Sequence, residues 1–423
     1  MRVLVITRGS WSKNNNTGNT IENLFSLLPE CDFFNLALKD ECINSDVCQR
    51  FFVISEKNMC TRIGTKNIGR EIVTQENKNL AKKNFSIYSY ANTKYSSVIL
   101  KIIREIFWKT GRWKTDSLNC YLKEINPDIV FMPTFNCWYP YDVLKYVANR
   151  THAKVILFHA DDYLSIPKYT SSYIFKWYRR ILKNKILEIA RNASNVAISE
   201  FMANEFSSIC NKPFDIIYKS CNNIENHAFD YTNHECFENA RFLYTGNIGV
   251  GRWNSLILLG KELMKYKNSE LAIYTANKLS QKQQIELKKL PSVKLYEPVP
   301  NSEVVKLQRN ADFLVFVESF DEEYADRVKY SFSTKITDYL ESGKCIIALG
   351  NEKVNAIRYF SKNRAAIGVD NPTEIGNVWH EFSNQPQRLT EIATSALQCA
   401  ANNHSSKKIK TVLNKIFTKV IIE

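Results

Sequence analysis

The sequence predicts an α/β protein made of two doubly wound, Rossmann-like domains, and three observations carry that expectation. Short apolar runs alternate with longer amphipathic stretches, the pattern of strands and covering helices in a mostly parallel sheet. The alternation restarts once, near residue 241. At 423 residues the chain is long enough to bury two such cores. With 44% hydrophobic and 24% charged residues, it is excluded from the disordered, collagen-like and disulfide-framework classes.

In the first half, strands are expected at 2–7 (RVLVIT), 32–37 (DFFNLA), 128–132 (DIVFM), 154–159 (KVILFH) and 195–198 (NVAI). Helical periodicity separates them at 19–28, 97–125, 141–149, 172–191 and 200–209. A polar, irregular stretch at 219–240 reads as a hinge. Beyond it, strands are expected at 241–245, 271–274, 293–296, 313–317, 345–349 and 365–368. Helices are expected at 253–266, 280–289, 302–309, 333–342, 351–361 and 372–382, and over the last 30 residues. The domains are therefore expected at 1–218 and 241–394, with a terminal helical segment at 395–423.

No apolar stretch reaches the ~18 residues of a spanning helix, and MRVLVITRGS reads as a strand rather than a secretory leader. Eleven cysteines without a C-x-x-C pair suit a reducing compartment, so a cytoplasmic protein is expected. The formal charge of +14 is unevenly placed: residues 57–123 hold 14 basic and 4 acidic residues, interleaved with Tyr88, Tyr90, Tyr95, Phe107, Trp108 and Trp113. Within that stretch Val98, Ile102, Ile103 and Phe107 recur at helical spacing, with Lys101, Arg104, Lys109, Arg112 and Lys114 around them. Three readings compete: a core-facing helix with a solvated basic face, a peripheral contact with anionic lipid, and a nucleic-acid patch. Lipid contact is preferred to nucleic acid, because no nucleic-acid motif accompanies the patch.

Ligands of doubly wound sheets bind where strands lead into helices. After the first strand comes RGSWSKNNNTGNT, where Gly18 allows close passage of the chain, Asn19 or Thr20 can cap a helix, and free amides suit a phosphate or a sugar hydroxyl. After 154–159 comes His159-Ala160-Asp161-Asp162, an acid/base or sugar-hydroxyl group; the simpler alternative is a satisfied histidine, with Asp162 capping the next segment. After 241–245 comes Gly246-Asn247-Ile248-Gly249-Val250-Gly251-Arg252, whose glycines let backbone approach a pyrophosphate beside a fixed cation. After 313–317 comes an acidic loop from Glu318 to Asp326, then Ser333, Thr334 and Lys335 where a helix should begin. Their hydroxyls, amides and ammonium can converge on one anion, and Asp338 lies one turn further on the same face, placed for ribose hydroxyls. Plain glycine turns and a capped surface helix with a solvated lysine are the simpler alternatives.

Taken in order, "PDIV", "HADD", "NVAISEFM", "FLYTGNIGVGRW", "SVKLYEPVPNSEVVKLQRNADFLVFVES" and "SFSTKITDYLESGKCIIALG" resemble the retaining glycosyltransferases of the GT-B fold, in the family-4-like group that builds bacterial surface polysaccharides. The resemblance covers the whole chain. It implies two domains facing across a cleft, the second holding a nucleotide-sugar and the first an acceptor, with 395–423 crossing back onto the first. By resemblance, Arg252 contacts the donor diphosphate together with Gly18, Gly249 and Gly251, and Ser333, Thr334 and Lys335 form a phosphate-binding variant. Asn254-Ser255 replaces the lysine usual after the arginine. Asp338 matches the second carboxylate of the family's E-x7-E motif; Tyr330 occupies the place of the first, and Glu318 is taken as its functional substitute. His159, with Asp161, falls near the transferred sugar.

The reaction implied is transfer of a hexose-type sugar from a nucleoside diphosphate to an acceptor hydroxyl of a saccharide or lipid-linked saccharide. Arg252 and Lys335 would stabilise the leaving group. No D-x-D occurs, so a metal-chelating diphosphate site is not expected, nor is another cofactor; without a nucleic-acid motif, no nucleic-acid partner is expected. Two rivals remain: a nucleotide-sugar 2-epimerase on the same scaffold, and a degenerate, non-catalytic scaffold protein.

Overall fold

The computed structural model describes residues 1–56, 59, 68–73, 98–170, 172–232 and 237–422. The aromatic residues Tyr88, Tyr90 and Tyr95 of the basic stretch lie outside them. The chain forms two compact units, Met1–Lys219 with Ile409–Glu423, and Ser220–Lys408.

The first unit holds β1 (Arg2–Thr7), β2 (Asp32–Ala37), β3 (Arg50–Val53), β4 (Arg70–Val73), β5 (Ile129–Pro133), β6 (Lys154–His159), β7 (Ser194–Ala197) and β8 (Phe214–Ile216). Their order in the sheet is β4-β3-β2-β1-β5-β6-β7-β8. All neighbours are parallel except β4, which pairs antiparallel with β3 at the edge. β1 pairs with β2 on one side and β5 on the other, so the winding reverses between β1 and β5. The short strands β3, β4 and β8, three or four residues each, add to the five expected.

Six helices of this unit are α1 (Asn16–Phe25), α2 (Val98–Lys109), α3 (Asp116–Ile125), α4 (Tyr139–Thr151), α5 (Tyr173–Ala190) and α6 (Glu200–Cys210). Asn15, not Asn19 or Thr20, caps α1, its side chain accepting from the Gly18 amide at 2.7 Å. The helix expected over 97–125 is two: the chain turns at Gly111, in the left-handed region at φ 73°, and Thr115 caps α3. The apolar stripe of α2 is split: Val98, Ile102 and Phe107 are half-buried. Its buried residues are Glu105 and Trp108, while Ile103 is exposed. Glu105 accepts from the amides of Trp138 and Tyr139 and from the Tyr178 hydroxyl, and those three bonds hold it inward.

The second unit holds β9 (Arg241–Thr245), β10 (Glu270–Tyr274), β11 (Val293–Tyr296), β12 (Phe313–Val317), β13 (Cys345–Leu349) and β14 (Ile367–Val369), all parallel, in the order β11-β10-β9-β12-β13-β14. This is the doubly wound order of nucleotide-binding sheets, with its switch point between β9 and β12. Its helices are α7 (Arg252–Leu263), α8 (Gln281–Leu287), α9 (Asn301–Asn310), α10 (Glu322–Val328), α11 (Lys335–Leu340), α12 (Asn355–Lys362), α13 (Ile375–Ser383) and α14 (Pro386–Cys399). The acidic segment read as a loop contains α10, whose cap is Asp321.

Residues 220–240, read as part of a hinge, are built into this unit. Tyr231 and Phe237 are fully buried in its core, and Tyr231 accepts from the Cys345 amide at 2.9 Å. After α14 a π-helical turn (Ala400–His404) leads to α15 (Ser406–Ile422), which from Ile409 belongs to the first unit. There Phe417 meets Phe25 at 6.1 Å and Lys419 pairs with Asp215 at 3.0 Å.

Candidate functional site

In the second unit the loop after β9 must turn from strand to helix within six residues. Gly246 (φ 135°) and Gly251 (φ 74°) supply the backbone conformations that other residues resist. A Cβ on Gly246 would lie 2.3 Å from Lys335 Nζ, and one on Gly251 would lie 2.4 Å from Ser319 Oγ and 2.7 Å from the Tyr324 ring. Both glycines therefore make room for side chains that follow β12 in the chain. Asn247 Oδ1 accepts from the Gly249 amide at 2.5 Å, which tightens the turn before α7.

Arg252 opens α7 and reaches across the switch point to Glu318, the first residue after β12. Its Nε and Nη2 donate to the two carboxylate oxygens of Glu318 at 2.9 Å each, a bidentate pair. The Glu318 side chain is 5% exposed and that of Arg252 20%. Ser255 Oγ donates to the Glu318 carbonyl at 2.8 Å, and Gly350, with φ 144°, leaves room for the Glu318 backbone. Burial pushes the Glu318 carboxyl up, against the opposing pull of Arg252 and Lys335.

Lys335, the first residue of α11, brings a second cation to the same place. Its ammonium stands 4.7 Å from the centre of the Tyr244 ring, a cation–π contact, and among the described residues nothing accepts a hydrogen bond from it. Burial lowers its pKa to about 8, with repulsion from Arg252 adding to burial and Glu318 and Asp338 opposing it. Two cations thus face one committed carboxylate at a sheet switch point. The arrangement suits an anion that brings its own charge.

The other expected site residues fall less uniformly. Ser333 Oγ accepts from the Lys335 amide at 3.4 Å. Thr334 sits at the N-cap of α11 with helical backbone angles and no side-chain cap bond. The helix has only six residues, so the end charge it contributes is small. Asp338 is on α11 and acts electrostatically on Lys335. Glu318, expected as a sugar or ribose ligand, has both oxygens on Arg252 and so orients that cation.

In the first unit the expectations need correction. His159 is 1% exposed, packed between Phe206 and Phe214, with Nε2 3.3 Å from Asn195 Oδ1. Burial lowers its pKa to about 4, so it is a neutral core histidine rather than an acid/base group. Asp161 is exposed and accepts from the Tyr163 hydroxyl at 3.2 Å; Asp162 caps the next turn through the amides of Leu164 and Ser165. Gly18 is glycine because the Ser12 carbonyl would lie 2.2 Å from its Cβ, so its bareness serves chain packing rather than a ligand. Gly246, read as part of the glycine loop, makes room for Lys335, while Tyr244, Tyr324 and Gly350 shape the site without having been singled out. For Gly350 the available signal was its place just after a strand.

No protein-family model matches the chain, and no curated protein matches it in sequence. Solved structures match it throughout. Anabaena HepE in complex with UDP-glucose superposes with a TM-score of 0.61 at 12% identity, covering 99% of this chain and 100% of that one. Sucrose-phosphate synthase from Thermosynechococcus elongatus gives 0.63 at 9% identity over 100% and 99% of the two chains. The lipopolysaccharide outer core galactosyltransferase WaaB gives 0.58 at 12% identity over 99% of each. The fold of the chain is that of the GT-B glycosyltransferases.

Proposed function

We propose that, on this GT-B scaffold, the chain moves a sugar from a nucleoside-diphosphate-sugar to an acceptor hydroxyl, in the synthesis of a bacterial polysaccharide, O-antigen or capsule, with retention at the anomeric carbon and without a metal. The observation that carries the reading is the pairing of Arg252 with Glu318 beside Lys335 at the β9/β12 switch point. HepE, a structural neighbour, holds UDP-glucose, which supports a nucleotide-sugar here.

As the bond from the anomeric carbon to the diphosphate lengthens, negative charge builds on the departing oxygens. Lys335 and Arg252, already in place and partly shielded from water, stabilise that charge without reorganising. Glu318 keeps the Arg252 fork oriented. His159, buried and neutral, offers no acid/base group, which counts against the epimerase reading. The enzyme is read as cytoplasmic and peripheral to a membrane; no helix among the described residues is long and apolar enough to cross one.

The test is a thermal-shift panel of nucleoside diphosphates and their sugars. A specific ligand at a hundred times its Kd adds about 2.7 kcal/mol. No stabilisation by any of them would sink the reading. The shift should also depend on pH in a defined sense. Lys335 is cationic below about pH 8, so the ligand-induced shift is largest there and falls as pH rises beyond it. Without ligand the sign reverses. Between pH 8 and the ordinary lysine range the unfolded chain holds the proton that folded Lys335 has released, so the Lys335 contribution to stability rises with pH. Transfer activity should survive a chelator; complete, metal-reversible loss would show that a cation takes part.

A further inference from the structure

The Lys335 ammonium is drawn out of water without a carboxylate of its own. Both oxygens of Glu318 are taken by the Arg252 fork at 2.9 Å, and Asp338 acts on the lysine only electrostatically. A cation in that position needs some compensation. What the fold supplies is an aromatic face, the ring of Tyr244, with its centre 4.7 Å from Nζ.

The ring is fixed at both ends. Tyr244 lies within β9, its backbone in register with Ile273 of β10, and it is 1% exposed. Its hydroxyl donates to the Asn247 carbonyl at 2.5 Å, which ties the far edge of the ring to the turn after the strand. Opposite the ring stands Gly246, where a Cβ would lie 2.3 Å from Lys335 Nζ and 2.9 Å from Cε. The Gly246 amide donates to the Tyr274 carbonyl at 2.8 Å, so this wall of the slot is fixed too. The end of the lysine therefore lies between a ring and a stretch of bare backbone.

A ring and a carboxylate are different partners for a cation that must receive an anion. A carboxylate would occupy the N–H donors and would have to be displaced when a phosphate arrives. The ring attracts the charge through its quadrupole and leaves donors pointing away from its face. Burial and then Arg252 act to discharge the lysine, and the ring acts against them. Core packing at Tyr244 asks only for bulk, whereas the cation asks for a π face.

We propose that Tyr244 is a positioning residue for sugar transfer: its ring, with the bare backbone of Gly246, holds the Lys335 ammonium at the β9/β12 switch point with N–H donors left for the donor diphosphate. This role rests on reading that switch point as the donor site.

The test follows the pH dependence of stabilisation by whichever of UDP, GDP, ADP and CDP raises the melting temperature of the full chain most. In wild type the stabilisation falls away above about pH 8. Tyr244→Leu keeps an apolar side chain and removes the π face, and loss of a desolvated cation–π contact should move that limb down by roughly one pH unit. Stabilisation is then weak at the wild-type limb and returns at lower pH, which a packing defect would not produce. Tyr244→Phe restores the face and should return the limb to its wild-type position. A Leu variant with the wild-type limb overturns the proposal. So does a Phe variant displaced as far as the Leu variant, which would place the effect in the Asn247 hydrogen bond. Should the Leu variant not fold, wild type decides by NMR. The Lys335 ε protons, assigned by their loss in Lys335→Ala, should lie upfield of other lysines because of the ring beside them, and an ordinary position overturns the contact. Upfield ε protons in a wild type that none of the four nucleotides stabilises would instead overturn the donor reading, and the role in transfer with it.

Discussion

Lys335→Ala is expected to lower kcat/KM for sugar transfer by roughly 10²–10³, the usual cost of removing one preorganised donor from a developing anion. Folding should not suffer. Among the described residues the ammonium has only the Tyr244 ring and electrostatic neighbours, and burial already disfavours its charge, so its removal relieves an unfavourable interaction. The variant should melt at or above the wild-type temperature while losing most of its stabilisation by nucleoside diphosphate. Nucleotide release with an acceptor extract and a melting curve measure both. Turnover like wild type would remove Lys335 from the phosphate site.

Arg252→Ala should fail in a different way. It leaves Glu318 buried with neither of its two hydrogen bonds, and breaking a buried pair from one side costs about 3 kcal/mol. For a unit of this size that is roughly a 6–12 °C fall in Tm. The fall should shrink at low pH. Without Arg252 the folded-state pKa of Glu318 rises further above its unfolded value, so protonation relieves the penalty as pH drops. Adding Glu318→Gln should recover much of the stability and none of the activity. Recovery of activity in the double variant would show that the pair serves only the fold.

The architecture was largely legible in the sequence. The eleven expected strands are present with small shifts of boundary. The strands β3, β4 and β8 were not expected, and the stretch expected as a hinge contains Tyr231 and Phe237, two core aromatics set in a polar, irregular segment. For such a segment, periodicity has nothing to detect.

The cluster at the β9/β12 switch point was legible in part. Arg252, Lys335 and Glu318 stood out at strand and helix ends, and the switch-point rule explains why those positions converge. That Glu318 would clasp Arg252 across 66 residues was decided by the order of β9 and β12 in the sheet. His159 shows the reverse. Its place at a strand end suggested chemistry, but Phe206 and Phe214 close over it and keep it neutral.

By itself the sequence determined two doubly wound domains, their strands, and the cations at their loop ends, because those follow from local periodicity and chain order. Only the tertiary structure decided which side of a segment faces the protein. In α2 the apolar stripe was plain, but its partner was left open among core, lipid and nucleic acid, and Val98, Ile102 and Phe107 are half-buried while Ile103 is exposed. Glu105, held by two amides and the Tyr178 hydroxyl, rotates the helix so that Ile103 and Ile106 meet solvent. Periodicity shows that a helix has two faces, and the partners packed against it choose between them.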